Sequence, residues 1–151
     1  MLAARYGHTE VVRALLTAPG IDLNKKATVL SLNDNEGKTA LGIAIEENKD
    51  DDEKTVENKT DIAALLTAAV GRLIFDAAKK KGNLLREQLD VWSGQSTVLN
   101  WANPDEGEQT PLIISCQEGM YENVKKMLAQ GESPFLRLLW ASVLPAFSSA
   151  P

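Results

Sequence analysis

Thr110-Pro111-Leu112-Ile113-Ile114-Ser115-Cys116-Gln117-Glu118-Gly119 runs directly into Met120-Tyr121-Glu122-Asn123-Val124-Lys125-Lys126-Met127-Leu128. Thr110 offers a hydroxyl cap, and Pro111 stands at a first helical turn, where its missing N–H costs nothing. Gly119 permits the left-handed backbone that turns a chain from one helix into an antiparallel neighbour. The same order of residues opens the chain. Leu2-Ala3-Ala4-Arg5-Tyr6 is a short Ala-rich helix, Gly7-His8 is a break, and Thr9-Glu10-Val11-Val12-Arg13-Ala14-Leu15-Leu16 is a second helix. Aligning Gly119 with Gly7 pairs Glu122 with Glu10, Val124 with Val12, and Met127-Leu128 with Leu15-Leu16. Ser115-Cys116 then fall on Ala3-Ala4, small residues where two helices approach closely. Val11, Val12, Leu15 and Leu16 share one apolar face. Pro19-Gly20 stops that helix, and Asp22-Leu23-Asn24 follows.

Two weaker copies lie between. Asp34-Asn35-Glu36-Gly37-Lys38-Thr39-Ala40-Leu41 reads as a hairpin turn entering a helix, with Ala40 in the proline place. That helix continues to Asn48, and its partner is Asp61-Ile62-Ala63-Ala64-Leu65-Leu66. The polar stretch from Lys49 to Glu57 reads as an insertion of about nine residues looping into solvent. The third copy runs from Leu73 to Gly82 with an extra lysine before its glycine. Its second helix carries Leu85, Leu89 and Trp92 at i, i+4 and i+7. Val98-Leu99-Asn100 takes the place of the repeat's exit, and Trp101 to Gly107 forms the hairpin into the last copy. Lys25 to Leu32 lengthens the first hairpin.

This pattern resembles the ankyrin repeat, with its Gly-x-Thr-Pro-Leu-His turn, small-residue helix, Gly-His break, Glu-Val-Val-x-x-Leu-Leu helix and Asp-Val-Asn exit. The family period is about 33 residues, and Gly82 to Gly119 spans 37. The resemblance covers Met1 to Pro134 and is most specific in the first and fourth copies. It implies an all-α fold, an ankyrin-type solenoid of stacked helix-turn-helix repeats with irregular hairpin loops. The repeats fall at 1–32, 33–70, 71–103 and 104–134. Residues 135–151 are a divergent C-terminal helix or tail; the run from Phe135 to Pro145 either caps the last repeat or belongs to a fragment of a longer array.

Composition bounds the rest. At 151 residues, 44% hydrophobic and 25% charged, the chain has the balance of one globular domain. Only 5% is aromatic, so the core is built from Ala, Leu, Ile and Val. A net charge of -5 disfavours binding to nucleic acid or anionic membrane. One cysteine and one histidine allow neither an intramolecular disulfide nor a Cys/His zinc cluster. The N-terminus carries no secretory signal and no apolar run spans a bilayer, so an intracellular, cytoplasmic protein is expected. The sequon Asn58-Lys59-Thr60 is accordingly read as chance.

Residues that could carry chemistry have plainer readings. His8 fits the structural Gly-His slot. Cys116 replaces a small core residue and is read as a buried thiol with no adjacent base. Asp50-Asp51-Asp52-Glu53 lacks the glycine and distal glutamate of a calcium loop, and is read as a solvated acidic loop. In Asn33 to Gly37, placing the glycine sixth would put Leu32 first, where it cannot ligate. Lys79-Lys80-Lys81 is too short for a nucleic-acid patch, and there is no glycine-rich phosphate loop. The chain is therefore expected to be no enzyme and to hold no cofactor or metal.

What remains is surface. The resemblance implies that a partner docks on hairpin tips and on the short first helices, along a concave face. The tips are Asn35, Glu36, Lys38, Asp105, Glu106 and Glu108. The first-helix positions are Arg5, Tyr6, Glu46, Glu47, Lys79, Lys80, Gln117 and Glu118. Tyr6 and Trp101 are the aromatics among these segments, and aromatics are enriched at binding hot spots. Acidic tips favour a partly basic partner. The expectation is a monomeric protein–protein interaction module that binds neither nucleic acid nor membrane. Two other readings stand beside it. One is a regulatory ankyrin segment or fragment of a larger enzyme or channel whose catalytic part lies elsewhere. The other is a degenerate array that does not fold alone.

Overall fold

Thr39 and Thr110 start helices for the same physical reason. Each has an extended backbone, and each hydroxyl accepts an N–H from three residues on: Gly42 at 3.2 Å and Ile113 at 3.3 Å. This satisfies one of the orphan donors of a first turn. Pro111, at the first helical position, is buried. These caps belong to a computed structural model that describes residues 1–27, 37–46, 51–80 and 83–130. The described residues form eight α-helices and no strand: α1 (Leu2–Arg5), α2 (Thr9–Leu16), α3 (Ala40–Ile45), α4 (Glu53–Lys79), α5 (Asn83–Val91), α6 (Ser96–Leu99), α7 (Pro111–Gln117) and α8 (Tyr121–Ala129).

The first and last helix pairs turn the same corner. Gly7 and Gly119 both have φ 69. His8 N–H donates to the Ala3 carbonyl at 2.9 Å, and Met120 N–H donates to the Ser115 carbonyl at 2.9 Å. Thr9 N–H reaches the Gly7 carbonyl at 3.1 Å, and Tyr121 N–H the Gly119 carbonyl at 3.0 Å. The left-handed glycine is what allows this reversal, since a Cβ there is strained.

The chain divides into two compact units, Met1–Val70 and Gly71–Pro151. In the first, α1 packs on α2 and on α3. Its core is aliphatic: Ala4, Val12, Leu41, Ile43, Ile62 and Leu66 are buried. The base of its hairpin is held by Ala27 N–H on the Lys38 carbonyl and Gly37 N–H on the Ala27 carbonyl. Ten residues separate Ala27 from Lys38, where five separate the paired Asn103 and Gln109 of the later hairpin. In the second unit α5 and α7 both pack on α8. Leu85, Leu89, Trp92, Leu99, Leu112 and Met127 are buried there.

Several elements differ from the sequence reading. The stretch from Lys49 to Glu57 is not a loop throughout. Lys49 and Asp50 lie outside the described residues, and the helix begins at Glu53. Asp52 caps it, its carboxylate accepting Thr55 N–H at 2.8 Å. Glu53, Lys54 and Glu57 are polar, but they are good helix formers. Two helices were expected around Leu66 and Leu73. Instead one helix runs from Glu53 to Lys79, with no proline inside it and Gly71 helical. The helix after Thr39 ends at Ile45, and Glu46 is extended. Val98 and Leu99 belong to a buried helical turn. Cys116 is half-buried, not buried. The proposed C-terminal cap lies outside the described residues.

Candidate partner-binding surface

In the first unit, α1 ends at Arg5 and hands the chain to Tyr6, whose N–H still bonds the Leu2 carbonyl. Tyr6 is 58% exposed. The Arg5 guanidinium lies 5.9 Å from its ring centroid, within cation–π range. The His8 ring lies 6.2 Å away on a tilted plane. Leu2, one turn before Tyr6, is also exposed. A cation and a second ring thus flank the exposed aromatic ring.

Lys38 and Glu46 bracket α3. Their side chains pair at 2.5 Å, so each neutralises the other. Below Glu46, Lys59 is buried; its ammonium donates to Asp51 Oδ2 at 2.6 Å and to the Glu46 carbonyl at 3.2 Å. Sequence reasoning missed this pair, because Asp51 and Lys59 were both assigned to a solvated insertion or chance sequon. Asn35, Glu36 and Glu47 lie outside the described residues.

In the second unit, the hairpin from Asn103 to Gln109 carries the acidic tip. Asn103 is buried; its side chain accepts Asp105 N–H at 3.1 Å, and its N–H meets the Gln109 carbonyl at 2.8 Å. Asp105 pairs with Arg72 of α4, and Glu106 with Lys79 of α4 at 2.8 Å. Arg72 and Lys79 are seven residues apart, two helical turns, so both face the hairpin. Exposed pairs of this kind contribute about 0.2–1 kcal/mol each. Two of the three predicted acidic residues of this hairpin, Asp105 and Glu106, are therefore engaged within the chain. Glu108 is exposed, with a left-handed φ of 59.

Trp101 is also built in. Its ring is half-buried, stands edge-on to Phe75 at 6.4 Å, and lies against the helix backbone at Gly71. It is a packing residue more than a free surface aromatic. Lys79 sits 5.8 Å from the Phe75 centroid. Lys80, Gln117 and Glu118 are exposed. The structure thus brings together Arg5 with Tyr6, Lys38 with Glu46, and Lys79 with Glu106.

Among the described residues no group of three or more His, Cys, Asp or Glu side chains could hold a metal ion. No described helix is long and apolar enough to cross a membrane.

Residues 1–28, which include α1, the Gly7 corner and α2, match the family model of the ankyrin repeat. Over these residues the chain is similar to an ankyrin repeat. No curated protein and no solved structure gave a significant match. Ankyrin repeats are generally protein–protein interaction modules. The helical architecture, and the shared corner at Gly7 and Gly119, are consistent with an all-α repeat fold.

Proposed function

We propose that this chain is a protein-binding module, an ankyrin array over residues 1–134 whose partner docks on first-helix positions and hairpin tips. The observation that supports this best is the exposed Tyr6 ring, flanked by Arg5 and His8 and next to exposed Leu2. Tyr and Arg are the residue types over-represented among binding hot spots. The partner surface is partly basic, complementary to exposed Glu108.

The test uses a photo-crosslinking amino acid placed at position 6, with a second chain carrying it at exposed Lys54 as a control. Position 6 is expected to capture a discrete protein that position 54 does not. Against that captured protein, Tyr6→Ala is expected to weaken binding about thirtyfold, the equivalent of a 2 kcal/mol hot spot. Equal capture at both positions, or an unchanged affinity, overturns the assignment.

A further inference from the structure

Among the described residues Lys59 is the one buried charged side chain, 4% exposed. Its ammonium donates to Asp51 Oδ2 at 2.6 Å and to the Glu46 carbonyl at 3.2 Å. An ammonium has three N–H donors, so one is left over, and no described residue accepts it. A charged donor left unmatched away from water is unfavourable. Lys59 and both of its acceptor residues border a cavity of about 210 Å³ between α4 and the end of α3, within the first unit. The ammonium end of Lys59 therefore stands at an open space.

The rest of the lining limits what fits there. Ala44, Ile45, Val56 and Ala63 make the wall largely aliphatic. Val56, Lys59, Thr60 and Ala63 recur at i, i+3, i+4 and i+7, on one face of α4. The Thr60 hydroxyl donates to the Val56 carbonyl at 3.0 Å, and its oxygen keeps acceptor capacity. Two adjacent residues thus present one donor and one acceptor beside an aliphatic wall. Charge then selects among ligands. Asp51 already neutralises Lys59, and Lys38 neutralises Glu46. An incoming carboxylate meets the Asp51 carboxylate with no cation left for it, and an incoming ammonium competes with Lys59 for Asp51. A neutral group that both accepts and donates is matched, and a primary carboxamide does both. An apolar cavity of about 150 Å³ holds benzene, so about seven heavy atoms fit in this one.

We propose that this cavity is a binding site for a primary carboxamide on a short aliphatic stem. Its carbonyl accepts from Lys59 Nζ, and its N–H donates to Thr60 Oγ1. A free small amide carries this group, and so does a glutamine side chain of a partner polypeptide. None of Arg5, Tyr6 and His8 borders the cavity, so the proposal does not depend on the Tyr6 surface.

The experiment is methyl NMR on the full chain, titrated with valeramide and, separately, with valerate and pentylamine. Valeramide at millimolar concentration is expected to shift the methyl signals of Ala44, Ile45, Val56 and Ala63. The anion and the cation are expected to bind at least about tenfold more weakly. Thr60→Val, at an exposed position, removes the acceptor and is expected to weaken valeramide about fivefold. Ala63→Leu fills the cavity and is expected to abolish the shifts while helical circular dichroism is retained. If that variant fails to fold, the three ligands and Thr60→Val decide alone. Blocked Gly-Gln-Gly and Gly-Met-Gly peptides then separate the sources. A response to the glutamine peptide alone assigns the site to a partner's side chain, and silence from both assigns it to free amides; either supports the carboxamide site. No shift with valeramide, equal shifts from all three ligands, or binding unchanged by Thr60→Val overturns the proposal.

Discussion

Ser115 is fully buried, and its hydroxyl oxygen has no hydrogen-bond partner. A buried polar group left unpaired costs about 1–3 kcal/mol. Its counterpart in the first repeat is Ala3, and alanine is the best helix former. Ser115→Ala is therefore expected to stabilise the chain by about 1 kcal/mol, read from the urea midpoint. A lower midpoint would mean that the hydroxyl contributes a bond after all. Gly71 makes the opposite case. Helix propensity alone says that Gly71→Ala in α4 should gain about 1 kcal/mol. A Cβ built there, however, would meet the Trp101 Cβ at 2.6 Å and run into the indole. Overpacking of this kind costs about 1–3 kcal/mol, so a net loss is expected; a gain in thermal stability would show that the indole moves aside. The capping threonines and the turn glycines were legible in the sequence, because each acts within a few residues of itself. The contact between Gly71 and Trp101 was not, because it joins residues thirty apart that only the fold brings together.

At the scale of elements, the largest departure from the sequence reading is α4. A run of Asp, Glu and Lys between two recognisable helices looks like a solvated insertion. The same residues, once Asp52 caps them, are ordinary helix formers and carry the helix back to Glu53. This extension brings Lys59 over Asp51 and the Glu46 carbonyl, burying the ammonium between α4 and the end of α3. Removing one member of a buried ion pair leaves an uncompensated charge. Asp51→Ala is expected to destabilise by about 3 kcal/mol. Adding Lys59→Met to it should recover more than half of that loss. Equal stability of the two variants would show that Lys59 finds water instead. The cap itself responds to acid. The Thr55 hydroxyl and N–H hold the Asp52 carboxylate below its ordinary range. A carboxylate depressed in the folded state stabilises the fold above its unfolded value of about 3.9, and that contribution is lost as pH falls through the lower folded value. Asp52→Asn keeps an acceptor at the cap but cannot titrate. Its helical circular dichroism is expected to vary less than that of the parent chain as pH falls below about 4. Identical acid profiles would remove Asp52 from the account.

For the whole molecule, recognition rests on a corner that the chain makes twice, at Gly7 and at Gly119, with matching hydrogen bonds. The helix pairs at Gly7 and Gly119 were legible because they keep the residues that make that corner. The candidate surface was legible in part. The sequence could place Arg5 beside Tyr6, but it could not show that Arg72 and Lys79 take up Asp105 and Glu106, or that Trp101 is packed against α4. Those are tertiary pairings, set by which helix face meets the hairpin. The proposed function requires that these helix pairs fold by themselves. Equilibrium urea unfolding of the 151-residue chain, followed by far-ultraviolet circular dichroism, tests it most directly. The account predicts one steep transition with a slope of about 2 kcal/mol/M. A gradual loss of helix from the lowest urea concentrations, with a slope below about 1 kcal/mol/M, would contradict it.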